Sequence, residues 1–303
     1  MKLFNTLINE GYLSQFKTFC KINNISSDID LNKNPKIEFR YICFKLIPYV
    51  LRIPINYVTK KSDYEAVLIE FRKLPHLVFL IRNTILKLDD KWCHTIVCGK
   101  NNYKFIKKIV NSIHKNIKII QLNVDNLSRE EYSLELMKKS FWERFEGKKI
   151  FIYQEDSILF RNIDDKFLEY DYIGAPWNNT YVGNGGFSIR SKDIMLKIIE
   201  EYTISTKNIK IIKHFFEKLI IEECNKKKYL EANKIKNYYE EMYIEDMHFT
   251  KMMRLYNIGT IAPFELANEF SVENIKHSNP CGGHQIWNGI KKWKNWMIGS
   301  LDL

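Results

Sequence analysis

The stretch KKIFIYQEDSILFRNIDDKFLEYDYIGAPWNNTYVGNGGFSIR, Lys148–Arg190, decides how this chain is read. An apolar strand runs straight into Gln154, Glu155 and Asp156, and a buried strand does not usually end on two stacked acids unless something cationic waits there. Further on, Gly183, Asn184, Gly185 and Gly186 form a turn that lets another backbone or a ligand come close. The turn feeds an alternating strand, with Phe187 and Ile189 inward and Ser188 and Arg190 outward.

Working toward the amino terminus, short apolar runs recur at Ala66–Phe71, His94–Cys98 and Ile117–Leu122, with Lys149–Tyr153 as the fourth. Helical patterns fill the gaps: LVFLIRNTILKL, YKFIKKIVNSI and SREEYSLELMKKSFWERF, the last opening with Ser128 and Glu131 at capping-box spacing. This alternation is the pattern of an α/β domain with parallel strands and right-handed crossovers. Ligands of such sheets bind at the carboxyl ends of the strands, which puts Glu70, Arg72 and Gln154 to Asp156 on one rim.

Residues 1–62 read as a helical amino-terminal extension, broken by polar stretches before Pro35 and at TKKSD. Within it, Phe39–Val58 mixes apolar and aromatic residues with Arg40, Lys45 and Arg52, a composition that suits peripheral contact with a membrane or ordinary packing on the domain; Pro48 and Pro54 would break one continuous helix. After Arg190 the pattern is helical to about Lys228, polar for a stretch, then helical again from Asp246 to Tyr256, with TIAPFELANEFSVE and an aromatic tail closing the chain. There is no repeat and no Gly/Ser/Pro linker, so residues 63–303 read as one domain.

The 303 residues are 45% hydrophobic and 14% aromatic, ample for a core. A formal charge of +11 favours anionic partners, although Lys, Asn and Ile are abundant throughout, as a biased coding composition would make them. No RGG segment, RNP-type aromatic motif or basic block points to nucleic acid. Six scattered cysteines without a CxxC pair argue against a zinc site or a disulfide framework and fit a reducing compartment. With no secretory signal pattern, the expected location is cytoplasmic, with membrane association through 39–58 left open by that segment's composition, and the Asn178-Asn179-Thr180 sequon is read as chance.

Four pieces carry chemistry. The acids of the QED turn suit a hard divalent cation, with Asp156 the preferred ligand and Glu155 or Gln154 assisting, though a polar turn after a strand would look the same. The glycine turn forms a backbone shelf for a sugar or an acceptor; GxxxxGK[ST] is absent, which disfavours a phosphate loop. In YIEDMHFT, Glu245 and Asp246 suit a helix start, and either carboxylate could take a proton from a hydroxyl, with His248 a third participant. Gly282 and Gly283 present His284, whose neutral imidazole could serve as a further metal ligand.

Taken in order, AVLIEFRKLPHLVFLIRN, SFWERFEGKKIFIYQEDSILF, EYDYIGAPW, VGNGGFSIRS, YIEDMHFT, PFELANEFSVEN and GGHQIW resemble the GT-A-type nucleotide-sugar glycosyltransferases, and within them a little-characterised family catalogued as a domain of unknown function. The resemblance spans about Asp63 to Trp293 and implies a Rossmann-type mixed sheet flanked by helices, with a nucleotide half containing Glu70 and Arg72. It places Asp156 where such enzymes carry the DxD metal motif, with QED as a departure, and His284 at the carboxyl-terminal metal histidine. Glu245 and Asp246 match the acidic pair that supplies the base of inverting enzymes, and Asn184, Gly185 and Gly186 match the donor-sugar or acceptor shelf.

The expectation is therefore a glycosyltransferase that uses a nucleoside-diphosphate sugar, UDP-linked first. Mn2+ or Mg2+ would bridge the diphosphate and Asp156, and the acceptor is a hydroxyl of a glycan, a protein or a small molecule. A pyrophosphorylase would need a glycine-rich loop after its first strand, which AVLIEFRKLPH lacks. A non-catalytic carbohydrate- or polyanion-binding protein on the same scaffold is the other alternative.

Overall fold

In the computed structural model, which describes residues 34–179, 181–202 and 206–301, the four apolar runs lie side by side as parallel strands. They are β1 (Tyr64–Ile69), β2 (Trp92–Cys98), β3 (Lys118–Gln121) and β4 (Lys149–Tyr153). The crossovers are α2 (Leu77–Lys87), α3 (Tyr103–Ile113) and the pair α4 (Arg129–Leu136) and α5 (Lys139–Trp142). Ser128 and Glu131 do form the capping box, but the single helix expected there is two, parted at Met137 and Lys138.

The sheet becomes mixed beyond β4, as expected. β7 (Phe187–Ser191) pairs antiparallel with β4 and β6 (Tyr172–Gly174) with β7, in the order β3-β2-β1-β4-β7-β6. Helices cover both faces. On β1, Ala66 and Leu68 join a core with Phe39, Leu77 and Ile81, while Val67 and Ile69 join another with Leu136, Trp142 and Phe249. Burial on both faces is why the strands read as continuous apolar runs. It also corrects the outward reading of Arg190, which is 0% exposed because β7 has a helix where solvent was expected. A second, three-stranded sheet has the order β5 (Ser157–Leu159), β9 (Gly282–His284), β8 (Ser271–Val272).

Residues 1–33 of the expected extension lie outside the described residues. The rest supplies α1 (Pro35–Val50), which continues through Pro48 in its last turn and ends before Pro54. Its apolar residues, among them Phe39, Cys43, Phe44 and Ile47, are buried in the main core. Phe39 packs on Trp287 and Trp293, with ring centroids 5.5 and 6.1 Å away. The apolar character that suggested an interface is thus largely turned inward. Among the described residues no helix is long and apolar enough to cross a membrane, and Cys43, Cys93, Cys98, Cys224 and Cys281 are free thiols.

After α6 (Lys192–Tyr202) and α7 (Thr206–Asn225), the segment read as a polar stretch between two helices is itself helix α8 (Tyr229–Tyr243), packed against α7. α9 (Glu245–Tyr256), α10 (Phe264–Phe270) and α11 (Trp293–Gly299) complete the described chain.

Candidate functional site

Strand register brings the four chemical pieces together. Tyr153 at the end of β4 lies opposite Phe187 at the start of β7, so the glycine turn that precedes Phe187 stands beside the QED turn that follows Tyr153. In the smaller sheet Ser157 lies opposite His284, which carries that imidazole to Asp156. Ser157 Oγ donates to the Gly186 carbonyl at 2.8 Å and ties the two turns together.

At the end of β1, Glu70 accepts from the backbone N–H groups of Phe71 and Arg72 at 2.9 and 2.7 Å. It also takes the Arg72 guanidinium in a two-pronged bond, 2.8 and 2.7 Å. Arg72 then reaches Glu155 at 3.1 Å, so Glu70, Arg72 and the QED turn share one network on the expected rim. Such a bidentate pair fixes the direction of the guanidinium as well as its place.

Glu155 is a hub of this network, 2% exposed. Arg40 from α1 donates to both its oxygens, 2.9 and 2.6 Å, and Lys36 Nζ lies 3.0 Å from it. His76 Nε2 is 3.0 Å from the Glu155 carbonyl and 3.3 Å from its carboxylate. Burial opposes ionisation, but His76 and Arg40 outweigh it and hold this carboxyl well below the ordinary range. Gln154 donates to the Tyr132 hydroxyl at 3.1 Å. Both Glu155 oxygens are thus already engaged by cations, so this carboxylate does not assist a metal ion as expected, and Gln154 turns its amide nitrogen to Tyr132.

Asp156 and His284 do meet, with Oδ1 and Nε2 3.2 Å apart, but as an ion pair. Burial works against both charges; the pairing prevails and leaves Asp156 at about 2 and His284 at about 10. On its other side His284 Nδ1 faces Glu273 at 3.5 Å. A metal ion would have to displace the proton that this pairing holds on the imidazole. The second Asp156 oxygen accepts from Lys36 Nζ at 2.8 Å, and among the described residues no group of three or more His, Cys, Asp or Glu side chains is arranged to hold a metal ion. The donor set does not fit Mn2+ or Mg2+ held by Asp156 and His284; an ammonium group stands where the ion was expected. Gln285 completes this corner: its N–H donates to the Asp156 carbonyl at 2.9 Å, from a left-handed backbone with φ 46°. A non-glycine residue in that region costs about 1 kcal/mol or more and is held there by its surroundings.

The glycine turn admits the protein's own groups. A Cβ on Gly185 would lie 2.5 Å from Arg190 and 2.8 Å from Glu245, and one on Gly186 2.7 Å from the His284 ring. Asn184 is buried, and its Oδ1 accepts from the Gly186 N–H at 3.0 Å, so this side chain braces the turn. Gly185 N–H donates to Asp246 Oδ2 at 2.8 Å, and Met247 N–H to Oδ1 at 2.8 Å.

The two acids at the start of α9 have different tasks. Glu245 receives the buried Arg190 guanidinium at 2.6 and 3.3 Å, and Arg190 also sits over the Tyr172 ring, 4.9 Å from its centroid. That arrangement neutralises Glu245 and corrects its place as a second base. Asp246 is only partly covered, and among the described residues the nearby guanidinium, Arg190, is paired with Glu245 rather than with it. Burial first, then the neighbouring Glu245 carboxylate, push it up to about 7 against the pull of Arg190. A carboxyl poised near neutrality is suited to exchange protons. His248 is buried, lowered by burial to about 4, and hydrogen-bonded to the Met242 backbone, which does not support a role as third participant.

A cleft of about 280 Å³ opens at the carboxyl ends of β1 and β4, walled by Lys36, Glu70, Phe71, Arg72, Ser128, Arg129, Tyr132 and the QED turn; Asp246 and the glycine turn are not in its wall. That is the scale of a small-molecule site. Sequence reading missed Lys36, Arg40, His76, Arg129, Tyr132 and Arg190. Lys36 and Arg40 are four apart on α1 and so share a face, a legible sign, but nothing local shows that the face meets acids 115 and 120 positions away.

A family model described as "Protein of unknown function (DUF5672)" matches residues 116–284, more than half of the chain. The match takes in the QED turn, the glycine turn, Asp246 and His284, and begins after Glu70 and Arg72. No curated protein matches the chain.

Proposed function

This chain belongs to the family described as protein of unknown function (DUF5672), and we propose that it is a GT-A-like glycosyltransferase that moves a sugar from a nucleoside diphosphate, UDP first, to a hydroxyl acceptor. The observation that carries the reading is the pairing of two chemistries at one edge of the sheet. A cleft with Lys36, Arg72 and Arg129 in its wall opens at the carboxyl ends of β1 and β4, and Asp246, raised to about 7, hangs from the glycine turn beside β4. The cleft suits a diphosphate, and the carboxylate suits the proton of an attacking hydroxyl.

In this reading the acceptor oxygen attacks the anomeric carbon and its proton passes to Asp246. The bond from that carbon to the diphosphate breaks, and the electron pair leaves with the diphosphate oxygen. A single displacement of this kind inverts the configuration. Arg72 is oriented for the departing charge by Glu70 and Glu155.

Turnover of a panel of nucleotide sugars, by hydrolysis and by transfer, tests the proposal. The wild type turns over at least one of them and Asp246→Asn loses that activity; a wild type inert to the whole panel, or a variant that keeps full rate, rejects it. The second reading, a non-catalytic carbohydrate or polyanion binder, draws on the number of cations already engaged at Glu155. Binding that ignores UDP-sugars but falls steeply with salt on RNA or DNA would select it.

A further inference from the structure

We propose that Lys36, carried into the cleft by α1, is the cation that neutralises the departing diphosphate, in the place a divalent metal ion was expected to take. The proposal rests on the glycosyltransferase reading of the same cleft.

The chain goes to some length to place this ammonium. Asn34 caps α1, its side-chain oxygen accepting from the N–H groups of Lys36 and Ile37 at 3.1 and 3.3 Å, and Pro35 fixes the first helical position. One turn further on, Arg40 is clamped to Glu155 by two bonds, and Phe39 lies against the tryptophans of the carboxyl-terminal segment. Glu38 adds an ion pair to Lys294. With Arg40 and Phe39 fixed on the same helix, Lys36 has little choice of place. Its Nζ lies 2.8 Å from Asp156 and 3.0 Å from Glu155, while its side chain stays 38% exposed in the wall of the cleft.

An ammonium has three N–H donors. Two carboxylates account for two of them here, which leaves the third for an oxygen of the diphosphate. Glu155 and Asp156 then do for the lysine what they would do for a metal ion: they hold a positive charge at the carboxyl end of β4. The QED sequence follows from this. A lone lysine charge needs a carboxylate for direction rather than the ligand set of an ion, so the first acid of a DxD pattern can be dispensed with, and Gln154 turns instead to the Tyr132 hydroxyl. When the bond between the anomeric carbon and the diphosphate oxygen breaks, the electron pair stays on the diphosphate, and Lys36 hydrogen-bonds the charge that develops. The acceptor proton goes to Asp246, and no redox partner is required.

The test uses the full chain and its Lys36→Met and Lys36→Arg variants. Nucleotide-sugar turnover and UDP binding by calorimetry are each measured in EDTA and in Mn2+, with thermal unfolding as a check that α1 is seated. The wild type is expected to turn over in EDTA within about 2-fold of its rate in Mn2+, and Lys36→Met to bind UDP about 10-fold more weakly and turn over about 100-fold more slowly, the scale of one lost charged hydrogen bond in a covered site. Lys36→Arg, which keeps the charge, recovers a good part of both. Turnover by the wild type that EDTA abolishes and Mn2+ restores, or a folded Lys36→Met with unchanged binding and rate, overturns the proposal and leaves the glycosyltransferase reading standing. A wild type that neither turns over any nucleotide sugar nor binds UDP overturns both.

Discussion

Replacing Asp246 by Asn separates what this residue does for chemistry from what it does to stability. Burial and the Glu245 carboxylate raise the Asp246 carboxyl from its ordinary 3.8 to about 7. A gap of about 3 pH units corresponds to about 4 kcal/mol of preference for the protonated form. The folded state thus keeps a proton that the unfolded chain releases near pH 4. The contribution to stability is present in full below that pH and is lost as pH rises through about 7. Asn cannot ionise, keeps the shape, and retains an oxygen for the Gly185 N–H, so the variant escapes this loss. Because the side chain is partly open to water, the full shift overstates the effect. We expect the stability of Asp246→Asn relative to wild type to grow by about 1–2 kcal/mol between pH 5 and pH 8. Urea unfolding at the two pH values reads this directly. Transfer should fall by about 10²- to 10⁴-fold, the usual worth of a general base, and the wild-type rate should rise with pH and level off above about 7. A variant that gains nothing in stability as pH rises, or a wild-type rate flat from pH 5 to 8, refutes the reasoning.

Glu245→Gln leaves the Arg190 guanidinium buried without its anion, and calorimetric melting should show a loss of about 3–5 kcal/mol. In whatever fraction stays folded, removal of the neighbouring charge moves the rise of the pH–rate profile below pH 7. Gly186→Ala drives a methyl group to 2.7 Å from the His284 ring, so a stability loss of about 1–3 kcal/mol with weakened UDP binding is expected by denaturation and calorimetry. Arg40→Met removes two of the bonds to Glu155; Arg72, Lys36 and His76 remain, so about 2 kcal/mol of stability should be lost in thermal unfolding.

The four parallel strands and β7, the crossover helices and the capping box were legible because each rests on a local pattern: an apolar or alternating run, a period near four, a Ser three residues before a Glu. The helix α8 was not, because its polar composition YLEANKIKNYYEEMY carries helix-forming residues without a strong apolar stripe. Gln154, Glu155, Asp156, Glu245, Asp246 and His284 were singled out from residue type and spacing. The division of labour among them was not available there, since it depends on which cation lies within reach of each carboxylate.

What the sequence determined by itself is the four parallel strands and the strand after the glycine turn, an α/β domain with Glu70, Arg72 and the QED turn at the strand ends, and the glycines that allow close approach. What the tertiary structure decided is who fills that space. Arg190 comes from the neighbouring strand to neutralise Glu245 and leaves Asp246 as the poised acid, while α1 brings Lys36 and Arg40 across more than a hundred residues to the QED turn. The physical reason is the reach of the interactions. Hydrophobic periodicity and capping act within a few residues of chain, whereas the charge state of a carboxyl follows from groups within a few ångströms in space, and only the folded chain sets those neighbours.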